Sequence, residues 1–292
     1  MKIVDQMSQG KQFLSLEFFP PKDKNEWPHF FKVAQRLAEL NPLFASVTYG
    51  AGGSSQGDTL EIVTRLKRDH GLESMAHLTC IGTERGALQQ FLDELASAEV
   101  YNVLALRGDL PQDAGPEVSV CRSLSHASDL ASFIRAAHPE MGIGVAGYPE
   151  AHPEATSPED DLAFLKKKLE LGGDFVITQL FFDNESYFDF VARARALGIQ
   201  KPIIPGILPV VSLKVIRRIV SLCGASIPPE FLAKLEEADR AGGAAAVQKL
   251  GIAHARSQAA GLLAQGAPGV HLYTLNRDEA ILDLVDGLLP GA

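Results

Sequence analysis

A carboxylate inside an apolar stretch is the first chemically demanding residue of this 292-residue chain: Glu17 stands between Leu16 and Phe18. Burying it ionised and alone would be costly, so the expectation is a raised pKa, which suits a general acid. One half of a structural ion pair, with Arg107 as partner, is the other reading. Arg107-Gly108-Asp109 puts a permanent cation, a residue that lets backbone approach a ligand, and an acid on one turn; an internal Arg–Asp pair explains it equally. His77 and His152 have no His or carboxylate at a metal-ligand spacing and read as donors to a phosphate or ribose, so no metal is expected. Asp161 and Lys168 are seven residues apart, hence two turns along one helical face, where they either bind a ligand or decorate a solvated surface. Cys80, Cys121 and Cys223 show no C-x-x-C spacing, which fits a reduced cytoplasmic setting. No Ser-His-Asp or Cys-His set has a telling spacing. Neither a Rossmann nor a Walker A fingerprint is present, and the glycines around Gly50–Gly53 read as a flexible loop.

These residues need elements to hold them. Strand-like runs fall at Phe13–Phe19, Phe44–Tyr49, Ser74–Thr79, Asn102–Leu106, Ile143–Gly147, Phe175–Gln179, Ile203–Ile207 and Val270–Tyr273. Helical stretches follow at Glu26–Leu40, Thr59–His70, Thr83–Ala98, His126–His138, Pro158–Leu171, Glu185–Leu197, Leu213–Cys223 and Asp278–Leu288. Strand then helix, eight times, predicts an α/β fold, a single (β/α)8 TIM-type barrel over residues 1–292, with an open doubly wound sheet as the alternative. Ile227–Ala264 breaks the repeat and is read as a helical elaboration before the last strand. In a barrel of this kind chemistry sits at the carboxyl ends of the strands, and there the chain places Glu17, Thr48, His77, Arg107, Tyr148, His152, Gln179, Tyr273 and Arg277. With 27 Lys and Arg against 36 Asp and Glu, a formal charge of -9, nothing draws the chain to nucleic acid. No run of ~18 apolar residues occurs and Met1–Lys11 has no apolar signal core, so no membrane association or export is expected. An acid, an arginine, two histidines and a glutamine at one mouth suit a large polar cofactor with an aromatic ring system, without naming it.

The strand-end segments carry a family resemblance. Leu16-Glu-Phe-Phe-Pro-Pro21, Ser46-Val-Thr-Tyr-Gly-Ala51, His77-Leu-Thr-Cys80, Leu104-Ala-Leu-Arg-Gly-Asp-Leu-Pro111, Tyr148-Pro-Glu-Ala-His-Pro-Glu154, Ile177-Thr-Gln-Leu-Phe-Phe-Asp183, Ile204-Pro-Gly-Ile-Leu-Pro209 and Tyr273-Thr-Leu-Asn-Arg277, in that order, resemble the methylenetetrahydrofolate reductase family. The resemblance implies a flavoprotein, FAD rather than FMN, that passes hydride to 5,10-methylenetetrahydrofolate and yields 5-methyltetrahydrofolate. It implies Glu17 as the general acid that opens the folate ring, and Asp109 as an acid near flavin and pterin. Gln179 is implied as a pterin contact, with Tyr273 and Arg277 at the folate or nicotinamide end. Thr48, His77, Arg107, Gly108, His126, Ala127, Tyr148, His152, Asp161 and Lys168 fall on positions similar to flavin contacts. Two positions depart from the pattern: His126 stands where relatives often carry Tyr, and Ile219 where a bacterial relative places a stacking aromatic. The second leaves NAD(P)H or a protein as the expected electron donor. The resemblance also implies a homo-oligomer without the long carboxyl-terminal regulatory region of eukaryotic members. A folate-binding methyl-transfer barrel and a flavin subunit of a larger electron-transfer complex are the competing functions.

Overall fold

A computed structural model of the chain describes residues 1–49, 56–108 and 124–288. Nine parallel strand segments form one sheet: β1 (Phe13–Phe18), β2 (Ala45–Val47), β3 (Ser74–Thr79), β4 (Asn102–Leu106), β5 (Gly142–Gly147), β6 (Phe175–Thr178), β7 (Ile203–Ile204), β8 (Gly206–Ile207) and β9 (Gly269–Tyr273). Their order is β7-β6-β5-β4-β3-β2-β1-β9-β8. β7 and β8 are two pieces of one stave, split at Pro205, which has no N–H to give to a ladder. The piece before it pairs with β6 and the piece after it with β9, so the staves close into the expected (β/α)8 barrel.

Successive strand residues point to opposite faces, and the two faces have different company. Leu14, Leu16, Phe18, Val47, Val103, Val145 and Leu272 join the main apolar cluster with the surrounding helices. Phe13, Phe44, Met75, Leu104, Phe175, Ile177 and Ile204 form a second cluster in the other phase, which fills the barrel interior. A short helix, α1 (Ile3–Met7), lies ahead of the first predicted strand, where no element was predicted. Its Ile3 and Met7, four residues apart and so on one face, belong to this interior cluster. Asn102 anchors it, accepting from the Ile3 amide at 2.8 Å and donating to the Met1 carbonyl at 3.0 Å.

The outer helices are α2 (Trp27–Ala38), α3 (Gln56–His70), α4 (Arg85–Ser97), α5 (Ala127–Ala137), α6 (Pro158–Glu170), α7 (Asn184–Ala196), α8 (Leu213–Cys223), α9 (Pro229–Ala264) and α10 (Asp278–Val285). α6 starts as its sequence requires: Ser157 accepts from the Asp160 amide at 3.1 Å and Pro158 takes the first turn. The elaboration is α9, interrupted at Gly242 and at Gly243, whose φ is 60°. Farther along α9, Gly251 lets the helix touch backbone, because a Cβ there would lie 2.0 Å from the Val210 carbonyl oxygen. Leu180, Phe182, Leu208, Phe231, Leu235 and Val247 make a third apolar cluster against which Ile219 and Tyr273 pack, so the elaboration adjoins the strand-end residues. No helix of the described residues is long and apolar enough to cross a membrane.

Candidate active site

β1 and β9 pair with Ser15 opposite His271 and Glu17 opposite Tyr273. Alternation turns Ser15, Glu17 and His271 inward, above the apolar interior cluster. Glu17 is 5% exposed, and its Oε2 lies 3.3 Å from His271 Nε2 and 3.4 Å from His77 Nε2. Ser46 Oγ donates to the same oxygen at 3.5 Å, while His271 Nδ1 is 2.8 Å from Ser15 Oγ. Burial pushes the Glu17 carboxyl up, but the two imidazoles outweigh it and bring the pKa down to about 2. The expected raised value is therefore overturned. So is the pairing with Arg107, whose guanidinium instead forks onto Glu154 at 2.5 and 2.9 Å. The imidazoles converge on one carboxylate oxygen, and no metal-binding group of three such side chains occurs among the described residues.

The turn after β9 holds Glu17 in place. Thr274 Oγ1 donates to the Glu17 carbonyl at 2.6 Å. Asn276, at a left-handed φ of 55°, accepts from the Phe19 amide at 3.0 Å and donates to its carbonyl at 2.6 Å. Tyr273 reaches across the barrel to donate to the Thr178 carbonyl at 2.8 Å, and burial pushes its phenol well above the ordinary value. Next to Thr178, Gln179 is half-buried and accepts from the Leu180 amide at 2.9 Å. Arg277 caps α10 and is exposed.

A second group gathers at the ends of β4 and β5. Lys168 Nζ donates to the Ala146 carbonyl at 2.5 Å. Burial pushes its ammonium down to about 8, against the pull of Asp161. Asp161 itself is pushed up by burial and accepts from the His152 amide at 3.3 Å. Tyr148 meets the His152 ring edge-on at 4.7 Å. Gly108 has φ +85°, and a Cβ there would sit 2.9 Å from Thr79 Cβ, so only glycine keeps this approach open. Thr48 Oγ1 is buried without a hydrogen bond. Two cations, a glycine cradle and an orphaned hydroxyl fit a ligand that carries phosphate on one part and a polar heterocyclic edge on another. His126 and Ala127 open α5, where Asp129 accepts from the His126 amide at 3.0 Å. Asp109 lies outside the described residues.

Over residues 2–288 the chain matches the family described as methylenetetrahydrofolate reductase. The chain belongs to the methylenetetrahydrofolate reductase family. Methylenetetrahydrofolate reductase (NADH) 1 of Arabidopsis thaliana is 38% identical over 305 residues, covering 99% of this chain and 51% of that protein. The 5,10-methylenetetrahydrofolate reductase of Escherichia coli (strain K12) is 37% identical over 273 residues, covering 93% and 88%. The chain thus spans about half the length of the plant relative and most of the bacterial one. A Clostridium thermocellum protein, described as binding two copies of 5-methyl-5,6,7,8-tetrahydrofolic acid, shares the fold at a TM-score of 0.68 and 17% identity, covering 97% of this chain and 96% of that one.

In this methylenetetrahydrofolate reductase-family barrel, Glu17 and His77 meet directly, and the strand-end residues Arg107, Tyr148 and His152 form one neighbourhood with Asp161 and Lys168 of α6. Sequence reading missed Ser15, Ser46, His271, Thr274 and Asn276 as parts of the site. A usable signal existed for three of them: Ser15 and Glu17, and His271 and Tyr273, are two apart and so share a strand face, and Ser46 shares one with Thr48.

Proposed function

We propose that the chain reduces 5,10-methylenetetrahydrofolate to 5-methyltetrahydrofolate at the strand-end site, with FAD as its bound redox group. The observation that carries the reading, beside the family, is a buried carboxylate held between two imidazoles at the mouth of the barrel. When bound, the flavin supplies hydride to the methylene carbon. The protein's task is the proton, because the folate's five-membered ring opens to an electrophilic iminium only when its departing nitrogen is protonated. Glu17 Oε2 is the delivering atom. With its pKa at about 2 it stands ionised in the free protein. A pterin that excludes water and breaks the 3.3 Å contact with His271 removes what holds the charge, so the carboxyl takes up a proton from water and then donates it to the departing nitrogen. Gln179 and Tyr273 orient the pterin. Arg107, His152 and Lys168 hold phosphate, and Thr48 and His77 meet the polar heterocyclic edge.

The electron donor is a reduced nicotinamide dinucleotide or a redox protein. Ile219 packs in the third apolar cluster and presents no aromatic face for a nicotinamide or adenine. An anaerobic titration with NADH and NADPH separates the two donors. The deciding experiment is stopped-flow on Glu17→Gln: donor reduction of the flavin stays within about twofold, while reoxidation by the folate slows several-hundred-fold or more. Equal loss in both half-reactions, or a colourless wild type that cannot be reconstituted with FAD, would refute the proposal.

A further inference from the structure

Helix α9 is broken at Gly242 and Gly243, and its two arms meet again where Phe231 of the first stacks on His254 of the second, ring centroids 3.8 Å apart. Beside that stack, between both arms and the start of α7, lies a cavity of about 620 Å³, within the range of small-molecule sites. Phe182, whose ring is 5.9 Å from that of Phe231, forms its apolar side.

The polar side of the cavity has spent its amide and imidazole donors on backbone carbonyls. Asn184 Nδ2 donates to Gln258 at 3.0 Å, Gln258 Nε2 to Phe181 at 2.9 Å and His254 Nε2 to Phe182 at 3.0 Å. What remains is mainly acceptors. Asn184 Oδ1 is buried without a hydrogen bond. With its proton on Nε2, His254 keeps a lone pair at Nδ1, and burial pushes its pKa down, so the ring is neutral at neutral pH. At the rim two carboxylates, Asp183 and Glu230, stand against one lysine, Lys234. The faces of aromatic rings add a further attraction for cations.

A ligand that satisfies this lining must bring N–H donors and positive charge on a stem that can lie against the rings. A quaternary ammonium has the charge without the donors. A metal ion lacks a site, since no group of three metal-binding side chains occurs among the described residues. We propose that the cavity binds an aliphatic amine, a di- or polyamine with primary ammonium ends, held by Asn184 Oδ1, His254 Nδ1 and Glu230 over the rings of Phe182 and Phe231. Such a ligand touches both arms of α9 and α7 together, and so holds the arms closed. The inference is independent of the flavin and folate reading above.

The test is isothermal titration of the full chain with spermidine and, at equal ionic strength, with choline, for wild type, Glu230→Gln, His254→Phe and Glu170→Gln. Phenylalanine at 254 keeps the stack and removes the acceptor; Glu170 lies exposed on α6, away from the cavity. Spermidine should saturate one site, with choline at least about tenfold weaker, and each cavity variant should lose about 5- to 10-fold in spermidine affinity while Glu170→Gln stays within about twofold. Hydrogen exchange should slow in the first arm of α9 when spermidine is added to wild type and stay unchanged with choline. No saturable spermidine binding below about 10 mM would overturn the assignment. So would choline binding as tightly as spermidine, or Glu170→Gln losing as much as Glu230→Gln, since either outcome is diffuse attraction to an acidic surface.

Discussion

Glu17→Gln tests the charge state of the central carboxyl without any assay of turnover. In the folded protein the Glu17 pKa is about 2, against an ordinary value of 4.5. A carboxyl with a depressed folded pKa contributes stability that is complete above the unfolded value and is lost as the pH falls through the folded one. The glutamine variant has the same shape and nothing to titrate at this position, so the other carboxylates cancel when its stability is subtracted from that of wild type. Between pH 6 and pH 3 the difference should move against wild type by about 2 kcal/mol, from one pKa unit being worth ~1.4 kcal/mol. Urea unfolding followed by far-UV circular dichroism at several pH values in that window measures it. Replacing His271 by Leu in both proteins should reduce the pH dependence, because the 3.3 Å contact that helps to hold the charge is gone. A carboxyl kept neutral by burial has the opposite sign: wild type would gain on the variant as the pH falls. That sign, or a difference that does not change with pH, would refute the imidazole-clamped carboxylate.

Three further outcomes are expected. Lys168, with its pKa pushed down to about 8, loses its charge above that pH; FAD affinity of flavin-free protein should fall about tenfold between pH 7 and pH 9, and Lys168→Met should show a flat, weaker profile by fluorescence titration. Asn102→Leu removes the acceptor for the Ile3 amide and the donor to Met1, and should cost about 2–3 kcal/mol in urea unfolding while exposing α1 to hydrogen exchange. Gly108→Ala forces a side chain onto φ +85° with its Cβ 2.9 Å from Thr79; a loss of about 1–3 kcal/mol is expected, and purification should yield protein with less flavin absorbance.

The architecture was legible because it is periodic. Ser74–Thr79 and Asn102–Leu106 are strands with the predicted bounds, and Leu213–Cys223 is a helix with the predicted bounds. Each is stated by local alternation or by 3.6-residue spacing that the tertiary structure then uses. What escaped is not periodic. α1 has five residues, too few for a pattern, and is held by a contact to Asn102, about a hundred positions away. Pro205 divides a stave that reads as one continuous run, because its missing donor shows only against neighbouring strands. Arg107, Tyr148 and His152 were picked out by their position at strand ends, yet the partner of Arg107 was not, because Glu154 comes from the loop after the next strand.

Glu17 shows why position can be right while electrostatics are wrong. Its sequence neighbours Leu16 and Phe18 are apolar, and from them a desolvated, protonated acid follows. In a strand, however, residues one apart face opposite sides, and both neighbours belong to the outer cluster with the helices. The environment of Glu17 is made instead by residues two apart and across the ladder: Ser15 on its own strand, His271 opposite Ser15, Ser46 on β2 and His77 on β3. All four are polar, and the two imidazoles convert a burial that would neutralise the group into one that sustains its charge. The same geometry explains why the acid is of use to the proposed reaction. A carboxyl that was simply neutral would hold its proton whether or not substrate were present. One that is ionised beside two imidazoles takes the proton up when a planar ligand breaks the pair, so proton delivery is coupled to occupancy of the site.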